Sequence, residues 1–299
     1  MKTRLTTALA VGALGLTLAA CGGDPTEGDK SATDTITIGS AAFPESEIIA
    51  EIYAQALEDK GVKVEKKLNI GAREAYIPAL KNGEIDLIPE YTGNLLTYLD
   101  KDATATSADD VTAALAKAVP EGTEILDTAP AEDKDSLNVT AEFSEKEGVK
   151  SIADLAKVDG LRLAANPEFK ERPYGIPGLE KVYGITGIKF TAISDGGGPA
   201  TLKALLDGKV DVADIYSTTP SILANKLVTL EDPKNLIAAQ NVVPLINSDK
   251  ASDEVKEVLN AVSAKLTTEE LLELNGKNQG SDKTAPATLA KEWVAEYVK

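Results

Sequence analysis

Two stretches far apart in the chain follow one plan, and that repetition limits the folds available. The first is Gly83-Glu84-Ile85-Asp86-Leu87-Ile88-Pro89-Glu90-Tyr91-Thr92-Gly93-Asn94; the second is Asp207-Gly208-Lys209-Val210-Asp211-Val212-Ala213-Asp214-Ile215-Tyr216-Ser217-Thr218. Each has a lead helix pattern, a glycine turn, an acid inside a short apolar run, then a tyrosine followed by small hydroxyl residues. A short apolar run bounded by turn residues marks a buried strand in an α/β sheet. Pro89 cannot donate to a ladder, so the first strand is expected to stop there. Glu90, Tyr91 and Thr92 then lie just past its C-terminal edge, where open α/β sheets bind ligands. Two similar lobes, each presenting a tyrosine from a strand end, could close on one ligand from opposite sides. The plainer reading is that both tyrosines only cover the tops of their sheets.

The remaining chain alternates strand and helix patterns around these two stretches. Thr35–Gly39 alternates in strand fashion, Ile48, Ile49, Ile52, Tyr53 and Ala56 recur at helical spacing, 62–68 is the next strand and 73–81 the next helix. That strand-helix-strand-helix-strand run favours parallel pairing. Further helices are expected near 95–99, 111–118, 178–183 and 202–206, and further strands near 123–126, 137–140, 161–164, 188–193 and 242–246. Ser151-Ile152-Ala153-Asp154 reads as a capping-box helix start, and the Asp195-Gly196-Gly197-Gly198 run, which lacks a P-loop lysine, as a hinge or helix-entry turn. Val255–Val262, Leu271–Leu274 and Leu289–Val298 give closing helices, with Trp293 in their packing. Chain crossings between lobes fall near 131–137 and 236–242. The expected architecture is α/β, with two lobes joined by a double hinge: 35–133 and 239–299 form the first lobe and 134–238 the second. Within each repeat, Asp86 and Asp211 are read as braces of their sheets.

The N-terminus reads as a targeting segment. Residues 1–20 hold Lys2 and Arg4 ahead of a short apolar core too brief to span a membrane. Leu18-Ala19-Ala20-Cys21 resembles a bacterial lipobox, which implies cleavage before Cys21 and lipidation of its sulfur. Residues 21–34 are nearly devoid of apolar side chains and read as a flexible tether. An extracytoplasmic, membrane-anchored protein follows. Cys21 is the one cysteine, and the chain has no histidine. That excludes a Ser-His-Asp triad, a Cys-His nucleophile and histidine-built zinc sites, so neither metal nor cofactor is expected. The formal charge of −17 argues against nucleic acid as a partner and permits cationic ligands.

Several elements together resemble a known family. Ile38-Gly39-Ser40, Phe43, Ile52-Tyr53-Ala54-Gln55-Ala56-Leu57, Gly71-Ala72-Arg73-Glu74 and, above all, Gly83 to Gly93 with its Pro-Glu-Tyr-Thr-Gly are similar to the osmoprotectant-binding proteins of ABC importers, the glycine betaine, choline and carnitine receptors of the ProX and OpuC type. The resemblance implies a type II periplasmic-binding-protein fold, a monomer that delivers a small molecule to a membrane permease, and no catalysis. It also implies a cage of tyrosine faces around a quaternary ammonium, each ring contributing about 0.5–2 kcal/mol of cation–π attraction. Tyr91 and Tyr216 match cage positions, and Arg172 matches an arginine that would fork a ligand carboxylate; it could instead pair with Glu168 or Glu171.

Other positions depart from the pattern. Ala41 and Ala42 stand where a lysine and an asparagine are usual, Asn94 replaces a hydroxyl residue, and Asp135 and Gln240 stand where cage tyrosines are expected. Either the site is retuned, with Asp135 meeting a cationic ligand and Asn94 and Gln240 offering hydrogen bonds, or Phe43, Tyr174 or Tyr98 completes the cage. The expected ligand-binding set is Tyr91, Asn94, Asp135, Arg172, Tyr216 and Gln240. A rival reading is an enzyme using Glu90 and Asp214 as acid and base.

Overall fold

The computed structural model describes residues 35–298; the signal, tether and Cys21 lipidation expected from the sequence lie outside them. Among the described residues, ten strands form two sheets. Those of the first lobe are β1 (Thr35–Gly39), β2 (Lys63–Lys67), β3 (Leu87–Tyr91), β4 (Thr123–Ile125) and, after the second lobe, β10 (Val242–Asn247). The second lobe holds β5 (Leu137–Val139), β6 (Arg162–Ala165), β7 (Lys189–Ala192), β8 (Val212–Asp214) and β9 (Val228–Thr229). The orders are β2-β1-β3-β10-β4 and β7-β6-β8-β5-β9. These are one topology used twice. In each sheet the strand that arrives from a crossing is the antiparallel one: β10 against β3 and β4, β5 against β8 and β9.

The repeat seen in the sequence is also repeated in hydrogen bonds. Asp86 N donates to Thr37 O (2.7 Å) while Asp86 Oδ2 accepts from Thr37 N (2.9 Å); Asp211 N donates to Arg162 O (2.9 Å) while Asp211 Oδ2 accepts from Arg162 N (2.9 Å). Each acid takes a backbone N–H that the incoming strand leaves open, so both carboxylates brace the sheets.

Pro89 does not stop the first strand as its chemistry led one to expect. β3 runs through it to Tyr91, because β10 places Pro244 directly opposite Pro89. The Pro244 carbonyl points the other way, accepting from Leu126 N (3.0 Å), so the two prolines meet at a non-hydrogen-bonded pair where no N–H is required. Helix α3 (Thr92–Leu99) then begins without a loop, so Tyr91 sits at a strand–helix junction.

Both sheets are covered on both faces. In the first lobe, α1 (Pro44–Asp59) and the closing helices Asp253–Ser263, Thr268–Gln279 and Pro286–Tyr297 bury one face, while α2 (Arg73–Lys81), α3 and helix Ala108–Ala118 bury the other. Trp293 is in the first of these cores, its indole donating to Glu270 (2.8 Å). Ser151 and Asp154 do form a capping box, but around a 3-10 helix, Ile152–Lys157. The Asp195 run is a helix entry: the Asp195 carboxylate accepts from Gly198 N, Ala200 N and Thr201 N at the start of helix Pro199–Leu206. A helix not foreseen, Ala141–Glu147, is capped by Thr140 at one end and by Gly148 in the left-handed region at the other.

Candidate ligand-binding site

The two tyrosines converge. A cavity of about 200 Å³ lies between the C-terminal ends of the two sheets, and Tyr91, Asn94, Asp135, Arg172 and Tyr216 all line it. The chain positions each from opposite directions. Tyr91 ends β3, and Asn94 follows on the first turn of α3. Tyr216 follows β8 in an extended segment whose neighbours bond to the first crossing, Ile215 N to Ser136 O (3.0 Å) and Ser217 N to Lys134 O (2.9 Å). That pairing also brings Asp135 beside the tyrosine.

Phe43 and Tyr174 also line the cavity, whereas Tyr98 does not. Phe43 sits between the tyrosines of the two repeats, its ring centroid 6.0 Å from that of Tyr91 and 5.4 Å from that of Tyr216. Gly196 permits this approach: a Cβ there would lie 3.0 Å from that of Phe43, at a φ of +63° that side chains rarely adopt. Asn166 fixes the ring opposite, donating to the Tyr216 hydroxyl (2.9 Å) and accepting from Gly196 N (3.1 Å).

Carboxyl groups surround these rings. Asp214 is 2 % exposed and its Oδ1 has no hydrogen-bond partner. Burial, and after it the adjacent Asp135 carboxylate, push Asp214 well above the usual carboxylate range. Tyr174 and Tyr216, which line the cavity together with Asp135, are likewise raised by burial first and then by the Asp135 carboxylate. Behind Tyr91, Glu45 accepts from the Tyr91 hydroxyl (2.5 Å), Thr218 Oγ1 (2.5 Å) and Asn275 Nδ2 (2.6 Å). Burial raises Glu45 despite those three donors, and burial followed by Glu45 itself raises Asp133 well above its ordinary value.

Both arginines in the wall are engaged. Arg73 clasps Glu90 with Nε (3.0 Å) and Nη2 (2.6 Å), and Glu90 also accepts from the Tyr76 hydroxyl (2.8 Å) and Tyr91 N (2.9 Å). Glu90 is fully buried and outside the cavity wall, so the acid-base role considered for it has no access to a substrate. Arg172 pairs neither with Glu168 nor with Glu171 but reaches across the lobes to Glu74 (2.8 Å), its guanidinium 5.3 Å from the Tyr98 ring centroid.

Gln240 is the one residue of the expected set that the structure sets apart. It is 1 % exposed and behind Asn94, accepting from Asn94 N (2.9 Å) and donating to Asn94 Oδ1 (2.7 Å). Asn94 in turn donates to Asp135 Oδ2 (2.6 Å). Gln240 therefore orients the wall from behind. Gly93 allows that contact, since a Cβ there would come within 2.5 Å of the Ala239 carbonyl. Sequence reasoning did not single out Glu45 or Asp133. The first looks like an ordinary first-turn acid and the second like part of a charged connector.

Known proteins share this chain's sequence pattern and fold. Residues 34–296 match the family described as OpuAC, substrate binding domain of ABC-type glycine betaine transport system. The chain is 29 % identical over 284 residues to the glycine betaine-binding protein YehZ of Escherichia coli K12, covering 90 % of this chain and 91 % of that one. It is 29 % identical over 277 residues to the carnitine transport binding protein OpuCC of Listeria monocytogenes, covering 88 % and 87 %. A solved structure described as a glycine betaine/carnitine/choline ABC transporter superposes with a TM-score of 0.68 at 24 % identity, over 87 % of this chain and 98 % of that one, a likeness of fold.

Proposed function

Since the chain belongs to the OpuAC family, the substrate-binding domains of ABC-type glycine betaine transport systems, we propose that it captures a quaternary-ammonium solute between its lobes and hands it to a membrane permease. The observation that carries this reading is the convergence of Phe43, Tyr91, Tyr174 and Tyr216 on a cavity whose wall also holds Asp135 and Asp214, while Arg73 and Arg172 are already paired. A methylated ammonium cannot donate hydrogen bonds, so ring faces and a diffuse negative field are what can recognise it. The excess of acid in the wall favours the cationic end of the ligand.

Lobe closure supplies the signal. Tyr91 and Asn94 come from the first lobe, Tyr216, Tyr174 and Arg172 from the second, and a solute touching both sets stabilises the closed arrangement by its differential affinity. The lobes are 35–133 with 239–299, and 134–238. The protein acts outside the cytoplasm as a monomer and not as an enzyme, exported by residues 1–20 and held to the membrane by a lipid on Cys21 at the end of the 21–34 tether.

The test is a thermal-shift and calorimetric panel of the purified chain against choline, glycine betaine, carnitine, proline betaine, ergothioneine and common amino acids. A ligand binding only the folded state raises the melting temperature by mass action. Saturable binding of at least one methylated ammonium compound is expected; binding confined to amino acids, or none, would refute the reading.

A further inference from the structure

Arg172 is the group in the wall best suited to a ligand carboxylate, and Glu74 has taken its place. Arg172 Nη1 lies 2.8 Å from Glu74 Oε1, and Nη2 donates to Oε2 at 3.0 Å. This is the two-pronged arrangement an arginine makes with any carboxylate, and a ligand needing the same prongs must displace it. The pair joins opposite lobes, Glu74 on the first turn of α2 and Arg172 after the turn Pro167–Lys170. Exposure is unequal, 13 % for the Arg172 side chain and 55 % for that of Glu74. The guanidinium thus lies inside, against Tyr98, and the carboxylate covers it from the rim.

We infer that Glu74 sets the ligand class of this site: by occupying Arg172 it makes the cavity select a net-cationic ammonium compound over one that also carries a carboxylate. The inference rests on the cavity being a methylated-ammonium site. Three features support it. Arg73 offers no substitute, being held on Glu90 by two of its nitrogens. Ala41 and Ala42 bring only methyl groups to the wall, and Asp133, Asp135, Asp214 and Glu168 lie in it, so an incoming carboxylate meets further acids where it would need a base. Glu74 is also well suited to stay ionised: burial opposes this, but the hydrogen bond and charge of Arg172 hold its carboxyl below the ordinary value.

Choline and glycine betaine share a trimethylammonium head and differ in bearing a hydroxyl or a carboxylate, so together they read Glu74 directly. Calorimetric Kd values for both are to be measured on the purified wild type, Glu74→Gln and Glu74→Asp, with melting curves confirming that each folds. Wild type should prefer choline. In E74Q the freed Arg172 should shift the choline-to-betaine affinity ratio toward betaine by roughly 10- to 100-fold, the worth of charged hydrogen bonds to a carboxylate. E74D should keep the wild-type preference. If both affinities move in parallel in E74Q, Glu74 only ties the lobes together and the inference fails. A wild type that prefers betaine also overturns it while leaving the proposed function intact; a wild type that binds neither these nor any other methylated ammonium overturns both.

Discussion

Replacing Arg73 by methionine tests the account of the cavity floor most severely. Glu90 is fully buried and takes four hydrogen bonds, two of them from Arg73, whose own side chain is only 11 % exposed. In R73M the carboxylate keeps two neutral donors, Tyr76 and Tyr91 N, and loses its countercharge. Removing one partner of a buried pair costs about 3–5 kcal/mol, because the other charge stays buried and uncompensated. For a body of this size each kcal/mol lowers the melting temperature by about 2–3 °C, so a fall of roughly 6–15 °C is expected. Differential scanning calorimetry with urea titration at neutral pH measures it. The second arm is R73M/E90Q: with both charges gone the site needs no countercharge, and at least half of the lost stability should return. A loss in R73M below about 1 kcal/mol, or a double variant as unstable as the single, would refute the reasoning. So would a variant that keeps its stability but loses solute affinity tenfold, since Arg73 would then be a ligand group.

Two further outcomes follow from the same geometry. Tyr216→Ala should weaken binding of a methylated ammonium by about one to two kcal/mol, read by calorimetry, while Trp293→Ala lowers melting temperature without a comparable effect on affinity in the folded protein; equal affinity losses would mean that Tyr216 acts only through stability. The raised Asp214 gives a pH signature: the folded state binds its proton more tightly than the unfolded state does, so its contribution is full below the ordinary carboxylate value and is lost as pH rises through the raised one. Asp214→Asn should therefore gain stability relative to wild type as pH climbs, by up to about 1.4 kcal/mol per pH unit while the proton is being lost, and a difference that is flat from pH 4 to 8 would count against the buried pair.

Most of the secondary structure could be read from the sequence, because apolar periodicity and glycine turns are local signals. The repeat was legible for the same reason: acid, apolar run and tyrosine fall at matching offsets, and the Asp86 and Asp211 braces follow from them. Misreadings arose where the deciding partner is distant. Pro89 looked like a strand end because nothing nearby in sequence announces that Pro244 will face it. The elements placing Glu74 against Arg172 are far apart in the chain, so neither local charge pattern could reveal the pair. Residues 131–136 have the composition of a charged connector, and nothing local in them shows that Asp133 and Asp135 are buried where the crossing packs against β8 and the segment after it. Helix Ala141–Glu147 was readable from Thr140 and Gly148; only its shortness hid it.

The placing of β10 has a consequence for how the molecule comes into being. It occupies the slot between β3 and β4, yet it is made after the whole of β5 to β9. Until it arrives, the first sheet is split, with the edges of β3 and β4 open and unpaired, whereas the second sheet has every strand it needs once β9 is complete. Glu45 likewise waits for Asn275, near the end of the chain, to complete its set of donors. A fragment cut at the first crossing is therefore not half a receptor. It is an unfinished sheet with two adhesive borders, and the later-made lobe is the one whose strands form an uninterrupted run.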